Sequence, residues 1–207
     1  MTTSVKPIIA ITMGDAAGIG PEIIAKTLGL EEVYRICCPL VIGEGTTVHK
    51  TIELLKSPLK LCTIGKVAEV KGEFGTVDLL DLHNLNQAEV ILGQICTPCG
   101  RAAREYIAKA AGLILAGKVK ALVTVPINKE AAKLAGYQDM GHLEYLAHIT
   151  GTHEYATMLI TGPLSVVHLT THYSLKDACQ LVTRERILAR LKLTYDSFLK
   201  WGLKQPR

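Results

Sequence analysis

The stretch KPIIAITMGDAAGIGPEIIAKTLG, Lys6 to Gly29, decides the fold class. It opens on a compact apolar run, KPIIAIT, of strand length. It passes through a glycine-rich turn, MGDAAGIG, and enters PEIIAKTLG, a helical pattern. Proline suits the first helical turn because its missing N–H would be unpaired there anyway, and Glu22 suits the positive end of the helix dipole. Three glycines before a helix start make an anion-binding turn physically reasonable, since free amides point outward. The spacing fails as a dinucleotide fingerprint, because Ile23 stands where a third glycine is needed after Gly18 and Gly20. It also fails as a P-loop, with no Gly-Lys-Ser/Thr following. A plain tight turn and a ligand loop both remain open at this point.

Working outward, the same strand-then-helix alternation repeats. CPLVIG is a second strand, followed by a helix from about Thr46 to Leu55, and KLCTI and VDLLDL are two more strands. Thr97 and Pro98 open a long helix whose Ala103, Ile107, Ala110 and Ile114 share one face, and Gly117 stops it. KALVTVPI is a continuous apolar run, as a parallel strand covered on both faces requires. NKEAAKLAG and GHLEYLAHITG are short helices. YATMLITGPLSVVHLTTH reads as two strands around Gly162-Pro163, and Ser174 with Asp177 resembles a capping box. A last helix spans about Thr183 to Trp201, with Ile187, Leu188, Leu191, Tyr195 and Phe198 expected inward. Short apolar strands alternating with helices predict an α/β fold with a largely parallel sheet. A change of domain is expected near residue 126, giving a first α/β domain over 1–126. The start of a second, incomplete at its C-terminus, would occupy 127–207. KWGLKQPR reads as a linker about to enter another strand.

Composition bounds the function. The 207 residues are 48% hydrophobic and 20% charged, with a mean hydropathy of +0.25 and a net charge of +4. No basic stripe argues for nucleic acid. No apolar stretch approaches the roughly 18 residues of a membrane span, and the N-terminus lacks a signal-peptide layout. The expectation is a soluble cytoplasmic protein. Cys37, Cys38, Cys62 and Cys179 are expected to be small core hydrophobes. Cys96 and Cys99 form CTPC at a helix start, where a redox dithiol is conceivable. The context of a thioredoxin motif is missing, and a zinc ribbon would need a second C-x-x-C. The pair is therefore taken as structural.

Candidate site residues lie at strand ends. VPINK places Asn128 and Lys129 just past an apolar strand, at the edge where open α/β sheets bind ligands. A lysine there can hold a phosphate or move a proton; the bland alternative is a solvated helix-start lysine. His142 follows Gly141 before a helix. His172 follows the apolar run Leu164 to Leu169 and two threonines. Each is a ligand candidate against an ordinary surface or core histidine. His49, His83, His148, His153 and His168 are taken as structural.

Four motifs, in order along the chain, carry a resemblance: ITMGDAAGIGPEIIAK, ALVTVPINKEAAKLAG, GHLEYLAHITGT and VVHLTTHYSLKDACQLVTRERI. Together they resemble the 4-hydroxythreonine-4-phosphate dehydrogenase family of pyridoxal phosphate biosynthesis. The spellings TMGD and VVHLTTHYSL lean toward the branch acting on D-threonate or D-erythronate 4-phosphate. The resemblance implies an isocitrate/isopropylmalate dehydrogenase-like fold of two α/β/α domains and a homodimer that shares active-site residues across its interface. It implies oxidation of a 3-hydroxyl with NAD or NADP, loss of carbon dioxide from the β-keto acid, and a divalent metal (Zn, Mg, Mn or Co) on the substrate oxygens. His172 would be one of three metal-ligand histidines. His142 and Leu143 would contact substrate, although the family usually has threonine at the position of Leu143. Asn128 and Lys129 match a family motif near the cleft, with Lys129 as a proton-transfer residue. The other two metal histidines, and most of the nucleotide site, belong to a part of the family that follows where this sequence stops. A catalytically incomplete fragment that only dimerises or binds a phosphorylated metabolite is the alternative expectation.

Overall fold

The computed structural model describes residues 6–138 and 141–205. Met1 to Val5, part of the run read for a targeting layout, and the last two residues of KWGLKQPR lie outside them. Contacts divide the chain into two compact units, Met1–Thr150 and Gly151–Arg207.

The first unit is built on a five-stranded parallel sheet. Its strands are β1 (Ile8–Thr12), β2 (Cys38–Gly43), β3 (Lys60–Thr63), β4 (Thr76–Asp81) and β5 (Ala121–Thr124), in the spatial order β3-β4-β2-β1-β5. The register pairs Ile8 with Cys38 on one side of β1 and Ile9 with Ala121 on the other. The expected α/β class with a parallel sheet is what forms. β1, β2 and β4 are the buried strands because their runs, such as CPLVIG, are apolar on both faces, and Leu40, Val41, Ile42 and Leu79 are fully enclosed.

Helices α1 (Gly20–Leu28), α2 (Glu31–Ile36) and α3 (Gly45–Leu54) follow β1 and β2, and α1 packs on both of the others. Helix α4 (Thr97–Leu115) crosses β1, β2 and β5 and carries α5 (Lys129–Leu134) and α6 (His142–Thr150). The approach of α4 to α5 is close. A side chain added at Gly100 would place its first carbon 2.3 Å from the Ala131 carbonyl carbon, so only glycine fits. That packing corrects the domain boundary. The chain does not change unit near residue 126, because α5 and α6 are built onto α4; the compact units part after Thr150.

The second unit holds the antiparallel ribbon β6 (Met158–Thr161) and β7 (Leu164–Val167), then α7 (Leu175–Leu181) and α8 (Arg184–Lys200). Ser174 accepts from the Asp177 amide, as the capping signal required. No described residue of α7 or α8 is buried. The inward face expected of α8 is therefore corrected: Leu191 is 60% exposed, and Ile187, Leu188 and Tyr195 are exposed too. A two-stranded ribbon is too small to cover a 17-residue helix. Cys179 is exposed and Cys62 only half-buried, so neither is the core residue expected. No helix among the described residues is long and apolar enough to cross a membrane.

Candidate active site at the carboxyl ends of two strands

β1 lies where the strand order reverses: the chain leaves it toward β2, yet reaches β5 on its opposite side. Loops that diverge from such a pair leave a crevice outside their carboxyl ends, and open α/β sheets bind ligands there. The turn after β1 and the segment after β5 are joined directly. The Asp15 amide donates to the Pro126 carbonyl at 3.2 Å. Gly14 has φ +70, and a side chain there would come within 2.4 Å of the Pro126 oxygen. The Gly14–Glu22 stretch thus contains a turn shaped to abut β5. Asp15 is 6% exposed; burial raises its carboxyl pKa, partly offset by the Ala17 amide that donates to it at 3.0 Å.

Past β5, Asn128 caps α5, its Oδ1 accepting from the Ala131 amide at 3.0 Å. The cap commits that oxygen to the helix, so a substrate contact by Asn128 falls to its amide nitrogen. Lys129 is the first residue of α5 and is exposed. His142 opens α6 and makes a backbone hydrogen bond to Val125, at the foot of the same segment. Its Nε2 is inaccessible and has no partner. Leu143 is half-buried beside it.

Charge and burial act together on His142. Its pKa is lowered, first by burial, then by Arg104 from α4; Lys129 from α5 adds to this, while the Val125 bond and Glu144 of its own helix oppose it. The imidazole is therefore neutral at pH 7, with Nδ1–H toward Val125 and an unprotonated Nε2 that is enclosed. Arg104 is fully enclosed. One of its nitrogens donates to the Gly141 carbonyl at 3.0 Å, and its guanidinium lies 4.7 Å from the Tyr145 ring centre and 5.9 Å from that of Tyr137. It grips the chain on both sides of His142.

We expect an imidazole NMR titration to put the His142 midpoint below the ordinary 6.5. A depressed folded value means the unfolded chain binds the extra proton first. His142 should then cost stability as pH falls from about 6.5 to its folded midpoint, and no further below it. Denaturant midpoints should show that loss, and His142→Gln should remove it; a His142 midpoint at or above 6.5 would contradict the geometry.

The structure thus brings together Asn128, Lys129 and His142 in the first unit. Sequence reading missed two residues beside them, Asp15 and Arg104. Arg104 had a legible signal: a charge on the apolar stripe of a long helix has to be paired inside. His172 belongs to the other unit. β7 ends at Val167, so His172 stands in the loop before α7 rather than at a strand end; it is exposed and has a left-handed φ of +64. Among the described residues no group of three His, Cys, Asp or Glu is placed to hold a metal ion. The described residues alone do not fit a complete metal site.

Known proteins bear on this arrangement. Residues 35–207 match the family Pyridoxal phosphate biosynthetic protein PdxA. The chain belongs to the PdxA family. A Halalkalibacterium halodurans protein carrying the name of a D-threonate 4-phosphate dehydrogenase is 44% identical over 98% of this chain and 60% of its own length. A Symbiobacterium thermophilum protein of the same name is 40% identical over the same shares. The crystal structure of a 4-hydroxythreonine-4-phosphate dehydrogenase from Burkholderia phymatum superposes with a TM-score of 0.92 at 36% identity. It covers 99% of this chain and 62% of the solved one. The PdxA-family fold, isocitrate dehydrogenase-like as expected, is thereby that of this chain. The chain spans about 60% of the length of the curated PdxA relatives it matches.

Proposed function

We propose that this PdxA-family chain supplies the substrate-holding part of an NAD(P)-dependent dehydrogenase. Its substrate would be a small phosphorylated 3-hydroxy acid, either 4-phosphohydroxy-L-threonine or D-threonate/D-erythronate 4-phosphate. The reading rests on one observation: His142, Lys129 and Asn128 converge past the carboxyl end of β5, against the β1 turn, in a family whose named relatives are dehydrogenases of such substrates. The neutral His142 would meet a substrate hydroxyl only once its enclosed Nε2 is uncovered. Lys129 Nζ holds the phosphate or passes a proton, and the Asn128 cap fixes where Lys129 begins. Leu143 places a side chain without a hydroxyl beside His142, where the family usually has threonine.

A nicotinamide, NAD or NADP, would supply the hydride-accepting chemistry when bound, and a divalent metal (Zn, Mg, Mn or Co) would supply positive charge, with His172 as the residue of this chain that would help to hold it. His172 contributes one ligand to that metal, with two more needed from outside the residues described. The exposed apolar face of α8 supports a homodimer, and family membership supports a cytoplasmic setting. The second reading, a catalytically incomplete α/β fragment that only dimerises or binds a phosphorylated metabolite, is favoured by the lack of a three-ligand group among the described residues.

The test compares the 207-residue chain with a version carried to the length of its relatives. Each is titrated calorimetrically with zinc and manganese, and assayed for absorbance of reduced nicotinamide with each phosphorylated acid. The short chain is expected to bind metal weakly and turn over nothing, and the longer one to bind metal and reduce NAD or NADP. A longer version that binds the acids without reducing either nucleotide would select the second reading.

A further inference from the structure

We infer that Cys96 and Cys99 form a reversible dithiol–disulfide site, with Cys96 the exchanging sulfur and Cys99 the resolving one. The pair is joined as a disulfide, with Cα atoms 5.1 Å apart and two residues between them. That separation lies in the range that a disulfide spans without moving the backbone. Nothing in the proposed dehydrogenase reaction uses either sulfur, so this inference stands apart from it.

Three observations carry the assignment. Cys96 is the N-cap of α4, and its Sγ accepts from the Cys99 amide at 3.2 Å. Amides at a helix start favour the anionic form of a sulfur placed among them, and the anion is both the attacking and the departing species in exchange. Second, the two sulfurs are unequal: Cys96 is 6% exposed and Cys99 is fully enclosed. A small reagent therefore reaches Cys96 first, on a slight opening of the first turn. Third, Pro98 stands between them in the helix's opening turn and has no amide to lose, which keeps the turn's geometry fixed with the sulfurs bonded or apart. The four other cysteines lack this arrangement and are unpaired.

The chemistry closes with a low-molecular-weight disulfide, R–S–S–R, as oxidant. The Cys96 thiolate attacks one sulfur of R–S–S–R and releases R–S⁻, leaving Cys96 in a mixed disulfide. The Cys99 thiolate then attacks Cys96 Sγ and releases the second R–S⁻. The protein loses two electrons and two protons; the protons end on two R–SH, and the S–S bond of the oxidant is the one broken. Reduction is the same path reversed.

The site has a structural neighbour to act on. Gly100, the residue after Cys99, is the contact at which α4 meets the Ala131 backbone of α5. On the other side, Cys96 ends a strap whose Gly93 amide donates to the Ala17 carbonyl in the turn after β1. The pair thus lies between the two segments that frame the candidate site.

The experiment equilibrates the 207-residue chain in a series of reduced and oxidised glutathione ratios. Samples are quenched with acid, alkylated and digested with trypsin. The peptide from Gly72 to Arg101 contains both sulfurs and no other cysteine. It should pass from doubly alkylated to an unalkylated form as the ratio changes, while Cys37, Cys38 and Cys62 stay alkylatable. In Cys99→Ser, Cys96 should accumulate a glutathione adduct; in Cys96→Ser, Cys99 should not. A pair that stays alkylated at every ratio, or stays linked in the most reducing buffer, overturns reversibility. An adduct on Cys99 rather than Cys96 overturns the assignment of roles.

Discussion

Replacing Arg104 with leucine should lower the stability of the first unit by about 3 kcal/mol, and its melting midpoint by roughly 6–12 °C. Three losses add. The part-buried Gly141 carbonyl loses a charged donor, at about 1.5–3 kcal/mol. The guanidinium leaves the faces of Tyr145 and Tyr137, worth about 0.5–2 kcal/mol. The shorter side chain leaves space at a fully enclosed position. Against these stands the relief of no longer burying a charge, which holds the sum to about 3 kcal/mol. Arg104→Lys keeps the charge and should recover only part of the loss, because a compact ammonium cannot replace a guanidinium that reaches the Gly141 carbonyl and both rings at once. Calorimetric melts of the three proteins decide it. The imidazole titration provides a second reading: with the positive charge gone, the His142 midpoint should rise. Melting unchanged in Arg104→Leu would show that the clamp contributes nothing.

The second large effect is expected at His172, in the version carried to family length. His172→Ala should remove metal-dependent turnover while leaving nucleotide binding in place. A catalytic metal held by about three protein ligands loses both a donor and the preorganisation of the rest when one is deleted. His142→Ala should instead weaken substrate binding and spare the metal, because its Nε2 belongs to the first unit's strand-end site. Metal titration and steady-state kinetics on the two variants separate the roles. Unchanged turnover in His172→Ala would return that histidine to the exposed loop residue it is in this chain.

What was legible in the sequence follows a physical rule. Strands with apolar residues on both faces announced themselves, and CPLVIG is β2 to the residue; KALVTVPI contains β5, but β5 is an edge strand with Ala121 and Val123 exposed, so the covering expected on both its faces is absent. Helices with strong end signals were also readable, such as α4 from Thr97-Pro98 and α5 ending before Gly136. Helix α2 was not, because it is six residues long and begins after Leu30 with no side-chain cap. The inward face of α8 failed for the opposite reason. Its periodicity is real, but periodicity names a face and does not supply the layer that covers it. At the candidate site, position past β5 singled out Asn128 and Lys129, while His142, expected at a strand-to-helix junction, instead follows helix α5 and opens α6. Asp15 escaped because its partner Pro126 is distant in sequence; Arg104 could be suspected from its place among apolar residues of α4, but its partners, Gly141 and two tyrosine rings, could not be read.

The pairing of Ile9 with Ala121 has a further consequence, for the order in which the molecule can assemble. β1 leaves the ribosome early, and β2 can reach it soon after. Its other edge must wait for β5, at a synthesis speed of roughly 5–20 residues per second. Until β5 arrives, one edge of β1 exposes a row of unpaired amides and carbonyls. Parallel pairings between distant segments also close slowly once both partners exist. The nascent chain is therefore most open to wrong partners between the emergence of β4 and that of β5, and α4, which spans this interval, is the element placed to shelter the sheet's face while its edge is still open.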